Sequence, residues 1–183
     1  PYIPTINPLL WEMCHLTYFQ EFWVLRQGAG LEPSRPDVDD LFDSITIGHE
    51  TRWRLPVPDR EGAFDYVRTV RDRVLELIES SDLSDQLPYY ILYSVFHEDM
   101  HTEALTYARQ TLGYPAPELS NLSKGLVQPD ISDTHDGDVS IPGGKFMLGA
   151  FQDSPFVFDN EKWSHEVKVD PFAISKTAVT EGQ

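Results

Sequence analysis

Leu92-Tyr93-Ser94-Val95-Phe96-His97-Glu98-Asp99-Met100-His101-Thr102-Glu103-Ala104-Leu105 is the stretch on which the fold of this chain turns. No Gly or Pro interrupts it, and Gly113 and Pro115 supply the stop. The spacing predicts a helix from Ser84-Asp85 to about Leu112, with Pro88 tolerated in the first turns. Four residues advance a helix by about 400°, so His97 and His101 stand one turn apart on one face, close enough to hold a single metal ion. Spelled literally, the run contains H-E-x-x-H, the zinc-protease motif in which the Glu is a general base. Leu92, Val95, Phe96, Met100, Ala104 and Leu105 predict a helix buried over much of its circumference, where two neighbouring histidines need a reason.

A third ligand decides between metal chemistries. The helix runs on through Tyr107 and Leu112 with no Gly turn and further His, so the metzincin continuation is absent, and Glu118 lies in linker text. The better candidate is upstream. Pro8 to Gln27 reads as a helix with Asn7 as cap, an apolar face of Leu9, Met13, Leu16, Phe19, Trp23 and Val24, and Gly28 and Gly30 as stop. His15 sits in it among aromatic residues (Tyr18, Phe19, Phe22, Trp23). Metal sites in helical bundles are built from side chains on facing helices, which makes His15 the expected partner of His97 and His101. Glu98 and Glu103 point away from the pair and read as surface groups or as groups that orient an imidazole. Three neutral histidines leave a divalent ion with its full charge and open positions. Zinc would use them for hydrolysis and iron(II) for oxygen chemistry, and the spacing does not choose.

Between these helices, prolines 33, 36, 56 and 58 and the run Asp37 to Ser44 predict a loop with one small helix, and Gly62 to Ser80 predicts another long helix with a stripe of Phe64, Val67, Val70, Val74, Leu77 and Ile78. Three long helices make a bundle. Residues 114–138 have linker composition. Beyond them Val139 to Gly149, Val167-Lys168-Val169 and Phe172-Ala173-Ile174-Ser175 alternate as short strands. The expected organisation is therefore a helical bundle over 1–113, a linker over 114–138 and the start of a second, truncated unit over 139–183, an α+β chain overall.

With 40% hydrophobic residues the 183-residue chain has the apolar surface for a core. Fourteen Lys and Arg against thirty Asp and Glu give a net charge of -16, the wrong sign for nucleic acid or an anionic membrane surface. No window approaches about 18 apolar residues, so no transmembrane helix is expected. The lone Cys14 forms no internal disulfide and fits a reducing, cytoplasmic setting. The opening Pro1-Tyr2-Ile3-Pro4 and the ending Val179-Thr180-Glu181-Gly182-Gln183 read as those of an excerpt.

Asn7-Pro8-Leu9-Leu10-Trp11-Glu12-Met13-Cys14-His15 with Phe19-Gln20-Glu21-Phe22-Trp23, then His97-Glu98-Asp99-Met100-His101-Thr102-Glu103-Ala104-Leu105, resembles the DinB-like bundle of the ergothioneine-biosynthetic sulfoxide synthases. Ile141-Pro142-Gly143-Gly144-Lys145-Phe146-Met147-Leu148-Gly149 followed by Phe158-Asp159-Asn160-Glu161-Lys162-Trp163-Ser164-His165-Glu166-Val167 resembles the opening of their formylglycine-generating-enzyme-like, C-type-lectin-like α+β domain. In this order the two blocks are far more specific than either alone.

The resemblance implies a non-haem iron(II) (Fe2+) oxidoreductase with His15, His97 and His101 as metal ligands and with the first helix of the bundle missing. Such enzymes use dioxygen to join the sulfur of γ-glutamylcysteine or cysteine to the imidazole carbon of N-α-trimethylhistidine, giving a sulfoxide. A branch of the family joins selenium from a selenosugar in selenoneine synthesis, and the Phe-Asp-Asn-Glu-Lys-Trp spelling is similar to that branch as well. The resemblance also places Arg52 and Arg54 where similar enzymes hold the carboxylates of the thiol, a task suited to guanidinium forks. The family's catalytic tyrosine and much of its trimethylhistidine pocket are expected beyond Gln183. Two other readings stay open: a DinB-like zinc or nickel thiol transferase or hydrolase, and a non-enzymatic helical interaction module.

Overall fold

Three helices, the first of them prolonged by a wider segment, form the framework of the first part of the chain. In the computed structural model, which describes residues 2–80, 85–115, 117 and 137–179, α1 (Leu9–Gln20) runs directly into a π-helical segment, Glu21–Gly28. A short α2 (Val38–Phe42) and one 3-10 turn (Thr51–Trp53) punctuate the loop that follows, and α3 (Arg60–Glu79) and α4 (Leu87–Thr111) complete the set. The chain divides into two compact units, Pro1–Ala116 and Pro117–Gln183. Of the expected linker, most residues lie outside those described, as does Ser84, the expected start of the third long helix; Asp85 lies in a turn before α4.

The expected cap of α1 is Asn7, but Pro8 occupies the cap position and its carbonyl accepts the Glu12 amide at 2.9 Å. The Asn7 side chain is drawn off instead to the Glu12 carboxylate, 2.6 Å away. The expectation of one regular helix to Gln27 also needs correcting, because the turn widens after Gln20. Glu21, the first residue of the widened segment, is fully buried; it accepts from the Tyr66 hydroxyl (2.8 Å) and the Ser34 amide (2.6 Å) and lies 3.4 Å from the Arg73 guanidinium. A charged group enters a core only when it is satisfied in this way. Gly28 closes the segment for a packing reason: a Cβ there would stand 2.7 Å from Leu87 Cδ1 at the start of α4.

α3 is capped by Asp59, whose side chain accepts from the Gly62 amide at 2.9 Å. Its buried line is Ala63, Tyr66, Val70 and Val74; Val70 and Val74 belong to the expected stripe and Leu77 packs against the core, whereas Phe64 and Ile78 are exposed. Small Ala63 allows close approach, and Tyr66 carries a polar handle to Glu21. α1 packs against both α3 and α4, and Trp11, Cys14, Tyr18, Val24, Leu25, Phe42, Val70 and Leu87 form the centre of the core. α4 is buried along a narrow face only, at Leu87, Ser94, His97, Ala104 and Ala108, whereas Val95, Phe96 and Met100 are exposed. The expectation of a helix buried over most of its circumference came from counting bulky residues; here small ones make the contact. Gly113, at φ +69, ends α4.

The second unit pairs β1 (Asp138–Ile141) with β4 (Phe172–Ser175) and β2 (Gly144–Leu148) with β3 (His165–Val169), both antiparallel, in two two-stranded sheets. Most of the strand residues are exposed on both faces. A helical region followed by a small sheet region makes the chain α+β, as its periodicities imply. No described helix is long and apolar enough to cross a membrane.

Candidate metal centre

Two helices carry the site. α1 presents His15, and α4 presents His97 and His101 one turn apart, so that one nitrogen from each of the three rings lies within 4.8 Å of the others. The Nε2 atoms of His97 and His101 are 3.1 Å apart. His15 and His97 are buried and His101 is half-buried.

Each ring is held from behind. His15 Nδ1 donates to the Phe42 carbonyl (2.8 Å), and the Trp11 indole stacks on the His15 ring at 4.9 Å and 7°, its own Nε1 donating to the Leu41 carbonyl. His97 stacks on Phe19 with ring centres 3.5 Å apart and planes 5° from parallel. His101 Nδ1 meets a Glu12 carboxylate oxygen at 2.5 Å. With Nδ1 of His15 and His101 committed in this way, their Nε2 lone pairs face the shared space, the arrangement typical of metal-ligating histidines.

Burial, outweighing the opposing effect of the Phe42 carbonyl, pushes His15 down to about 4, and burial together with the neighbouring imidazoles pushes His97 down to about 2. Both rings are neutral at neutral pH, the form that binds metal. Burial alone would raise the Glu12 carboxyl, but the hydrogen bond and charge of His101, with Asn7, bring it below the ordinary glutamate value. The donor set therefore fits a first-row divalent ion: three imidazole nitrogens, those of His15 and His97 on neutral rings and those of His15 and His101 oriented by acceptors behind, on an open side of the bundle.

That open side is a cavity of about 460 Å³, lined beside the three histidines by Asn7, Glu12, Ser44, Arg52, Met100 and Tyr107. Arg52 makes four hydrogen bonds to protein acceptors: Ser44 O (3.0 Å), Ile47 O twice (3.0 and 3.2 Å) and Asn7 Oδ1 (3.1 Å). Its guanidinium lies over the Trp11 ring at 4.3 Å. Arg54 is elsewhere, exposed and ion-paired with Glu50 outside the cavity lining. Glu98 and Glu103 are exposed on α4 and neither reaches an imidazole; that contact belongs to Glu12. Glu12 escapes a reading of the sequence because its partner lies 89 residues away. The available signal is its place three residues before His15 on the same helix face. His165 lies in the second unit, with Nδ1 2.9 Å from the Trp163 carbonyl, and His135 is outside the described residues.

The match to known families now bears on this geometry. Residues 1–105 match the model of the DinB superfamily. The chain belongs to the DinB superfamily. Residues 123–183 of this DinB-superfamily chain match a second model, the sulfatase-modifying factor enzyme 1-like domain. Along its whole length the chain is similar to three proteins named hercynine oxygenase: 28% identical over 185 residues in Mycolicibacterium smegmatis, 30% over 186 in Mycolicibacterium thermoresistibile and 31% over 185 in Mycobacterium tuberculosis. It covers 42%, 41% and 43% of those proteins respectively, and so spans about two-fifths of their length. The order of the two halves is the one the sequence resemblance led us to expect.

Proposed function

We propose that this chain is the metal-holding part of an enzyme of the hercynine oxygenase kind, with iron(II) bound by His15, His97 and His101. The observation that carries the reading is the convergence of three imidazoles from two helices, with the buried His15 and His97 rings neutral and His15 and His101 oriented by acceptors, in a chain similar throughout to hercynine oxygenases. The net reaction breaks the S–H bond of a thiol, γ-glutamylcysteine or cysteine, and a C–H bond of the imidazole of hercynine (N-α-trimethylhistidine). It forms a C–S and an S–O bond; one atom of dioxygen goes to sulfur and the other leaves as water. Iron bound in this site supplies Lewis acidity, oxygen activation and open positions for more than one reactant.

The protein's own contribution is positioning. Trp11 and Phe19 cover two of the rings and keep water from their buried sides. The Phe42 carbonyl and Glu12 hold two imidazoles in the tautomer that presents Nε2. Arg52 borders the cavity as the cation nearest an incoming carboxylate, and with four of its bonds made to protein it offers one remaining N–H rather than a full fork. Arg54, free of the cavity wall, is the second candidate for the thiol's carboxylates. Cys14 is buried and held as a thiol, since burial pushes it up to about 11, which suits a structural role in a reducing cytoplasm rather than that of a nucleophile.

The test is oxygen uptake with hercynine and each thiol by the iron-loaded chain and by a longer parent that carries the remainder of the second domain, coupled to mass-spectrometric detection of the sulfoxide. Uptake that requires both substrates and yields the sulfoxide is expected of the parent, and iron binding without turnover of this chain alone. Hydrolytic turnover with zinc, and no oxygen uptake by the parent with iron, would contradict the reading.

A further inference from the structure

Four side chains join into one hydrogen-bonded line behind His101. Arg52 Nη1 donates to Asn7 Oδ1 (3.1 Å), Asn7 Nδ2 donates to Glu12 Oε2 (2.6 Å), and Glu12 Oε1 meets His101 Nδ1 (2.5 Å). A guanidinium has only donors and a carboxylate only acceptors, so the line has one possible direction. Arg52 must face the oxygen of the Asn7 amide, which turns the amide nitrogen to Glu12. Glu12, its other oxygen so occupied, can meet His101 only as an acceptor. The proton of the imidazole then sits on Nδ1 and the lone pair on Nε2, the atom 3.1 Å from His97 Nε2.

We propose that Glu12 is the positioning residue of the His101 imidazole, and that Asn7 and Arg52 set its orientation through this line, an inference that rests on the metal-site reading above. Several features make the line rigid. Glu12 is buried, and it lies on α1 three residues before His15, so the helix that carries one ligand also orients another from α4. Arg52 is fixed at the far end by the Ser44 and Ile47 carbonyls and by Trp11, which itself stacks on His15. The same position explains why Asn7 does not cap α1: both ends of its amide are taken. His15 receives the equivalent support from a backbone carbonyl that no substitution removes, which makes His101 the ligand whose orientation depends on side chains.

The experiment uses the full chain and zinc(II), a diamagnetic probe, with affinity measured by chelator competition and the His101 Nδ1 proton followed by NMR in the zinc-loaded protein. Glu12→Gln keeps the shape but places a donor against a donor, at Asn7 or at His101. We expect about a 10- to 100-fold loss of zinc affinity, the range typical of outer-shell partners, and an upfield shift of the His101 Nδ1 proton, with the helix content of the metal-free protein unchanged. Affinity within about twofold of the parent, with that proton unmoved, would overturn the proposal. Asn7→Ala is the second variant, decisive should Glu12→Gln lose helix content: it leaves the Glu12 contact but frees the carboxylate to rotate, so a smaller affinity loss and a shifted proton are expected, and no change in either would remove Asn7 and Arg52 from the line and overturn it. His97→Ala separates this test from the reading beneath it. Zinc binding that survives His97→Ala sinks the metal site itself, whereas binding lost there but kept in Glu12→Gln sinks only the role of Glu12.

Discussion

Replacing His15 by alanine tests coordination and packing together, because the proposed site gives this residue both roles. It is 4% exposed, its Nδ1 is bonded to the Phe42 carbonyl, and Trp11 stacks on its ring. Removing the imidazole leaves that carbonyl without its partner, at about 1–3 kcal/mol, and opens a gap beneath Trp11. An imidazole is smaller than the aromatic rings whose truncation costs about 3–5 kcal/mol, so a total loss of about 2–4 kcal/mol is expected for the metal-free protein. For a unit of this size that is a fall of about 10 °C in the unfolding midpoint. The effect on metal is separate and larger in proportion: one of three donors is gone, so affinity falls by more than the roughly 10- to 100-fold that outer-shell changes produce. Calorimetry on chelator-treated protein reads the first quantity, and elemental analysis after anaerobic loading and gel filtration reads the second. A variant that melts earlier yet keeps the parent's metal would show His15 to be a core residue and refute its place among the ligands.

Other predictions follow from the same contacts. Tyr66→Phe withdraws one donor from the fully buried Glu21 and should cost about 1.5–3 kcal/mol in urea titrations without changing metal content; an unchanged midpoint would mean that Ser34 and Arg73 suffice. Gly28→Ala drives a methyl against Leu87, itself 1% exposed and unable to swing away, so we expect about 1–3 kcal/mol of destabilisation, and a variant as stable as the parent would show that α4 can shift. In the metal-free protein the unfolded chain takes up protons on His15 and His97 near the ordinary value of about 6.5, whereas the folded one resists until about 4 and about 2. The unfolded state thus binds more protons in that window, and stability falls as pH drops below about 6.5, by at most about 1.4 kcal/mol per pH unit for each imidazole. The depressed Glu12 carboxyl acts in the same direction. Equal or higher urea midpoints at pH 5 than at pH 7 would contradict this.

What could be read from the sequence was whatever a local period encodes. A four-residue spacing places His97 and His101 on one face whatever the bundle does, and a change of period separates helices from strands. The apolar surroundings of His15 likewise follow from its own helix. What could not be read depends on how helices turn toward each other. The inner face of α3 takes in Ala63, which carries little bulk, and Tyr66, whose hydroxyl answers to Glu21, so a stripe drawn through large apolar residues finds Val70 and Val74 but not these two. The widened turn at Glu21 answers to Tyr66, Ser34 and Arg73, from 13 to 52 residues away. Glu12 and Asn7 look like a first-turn acid and a cap until α4 brings His101 to one and the loop brings Arg52 to the other.

The most direct test of the central claim is the metal content of the chain expressed with iron and purified without oxygen, compared with its His97→Ala and His101→Ala variants under the same conditions. The account predicts a single iron bound by the parent and almost none by either variant, with far-UV circular dichroism unchanged, because two imidazoles retain the ion poorly while the apolar faces still hold the helices. Iron that stays with both variants, or a parent that carries no first-row metal, would contradict it.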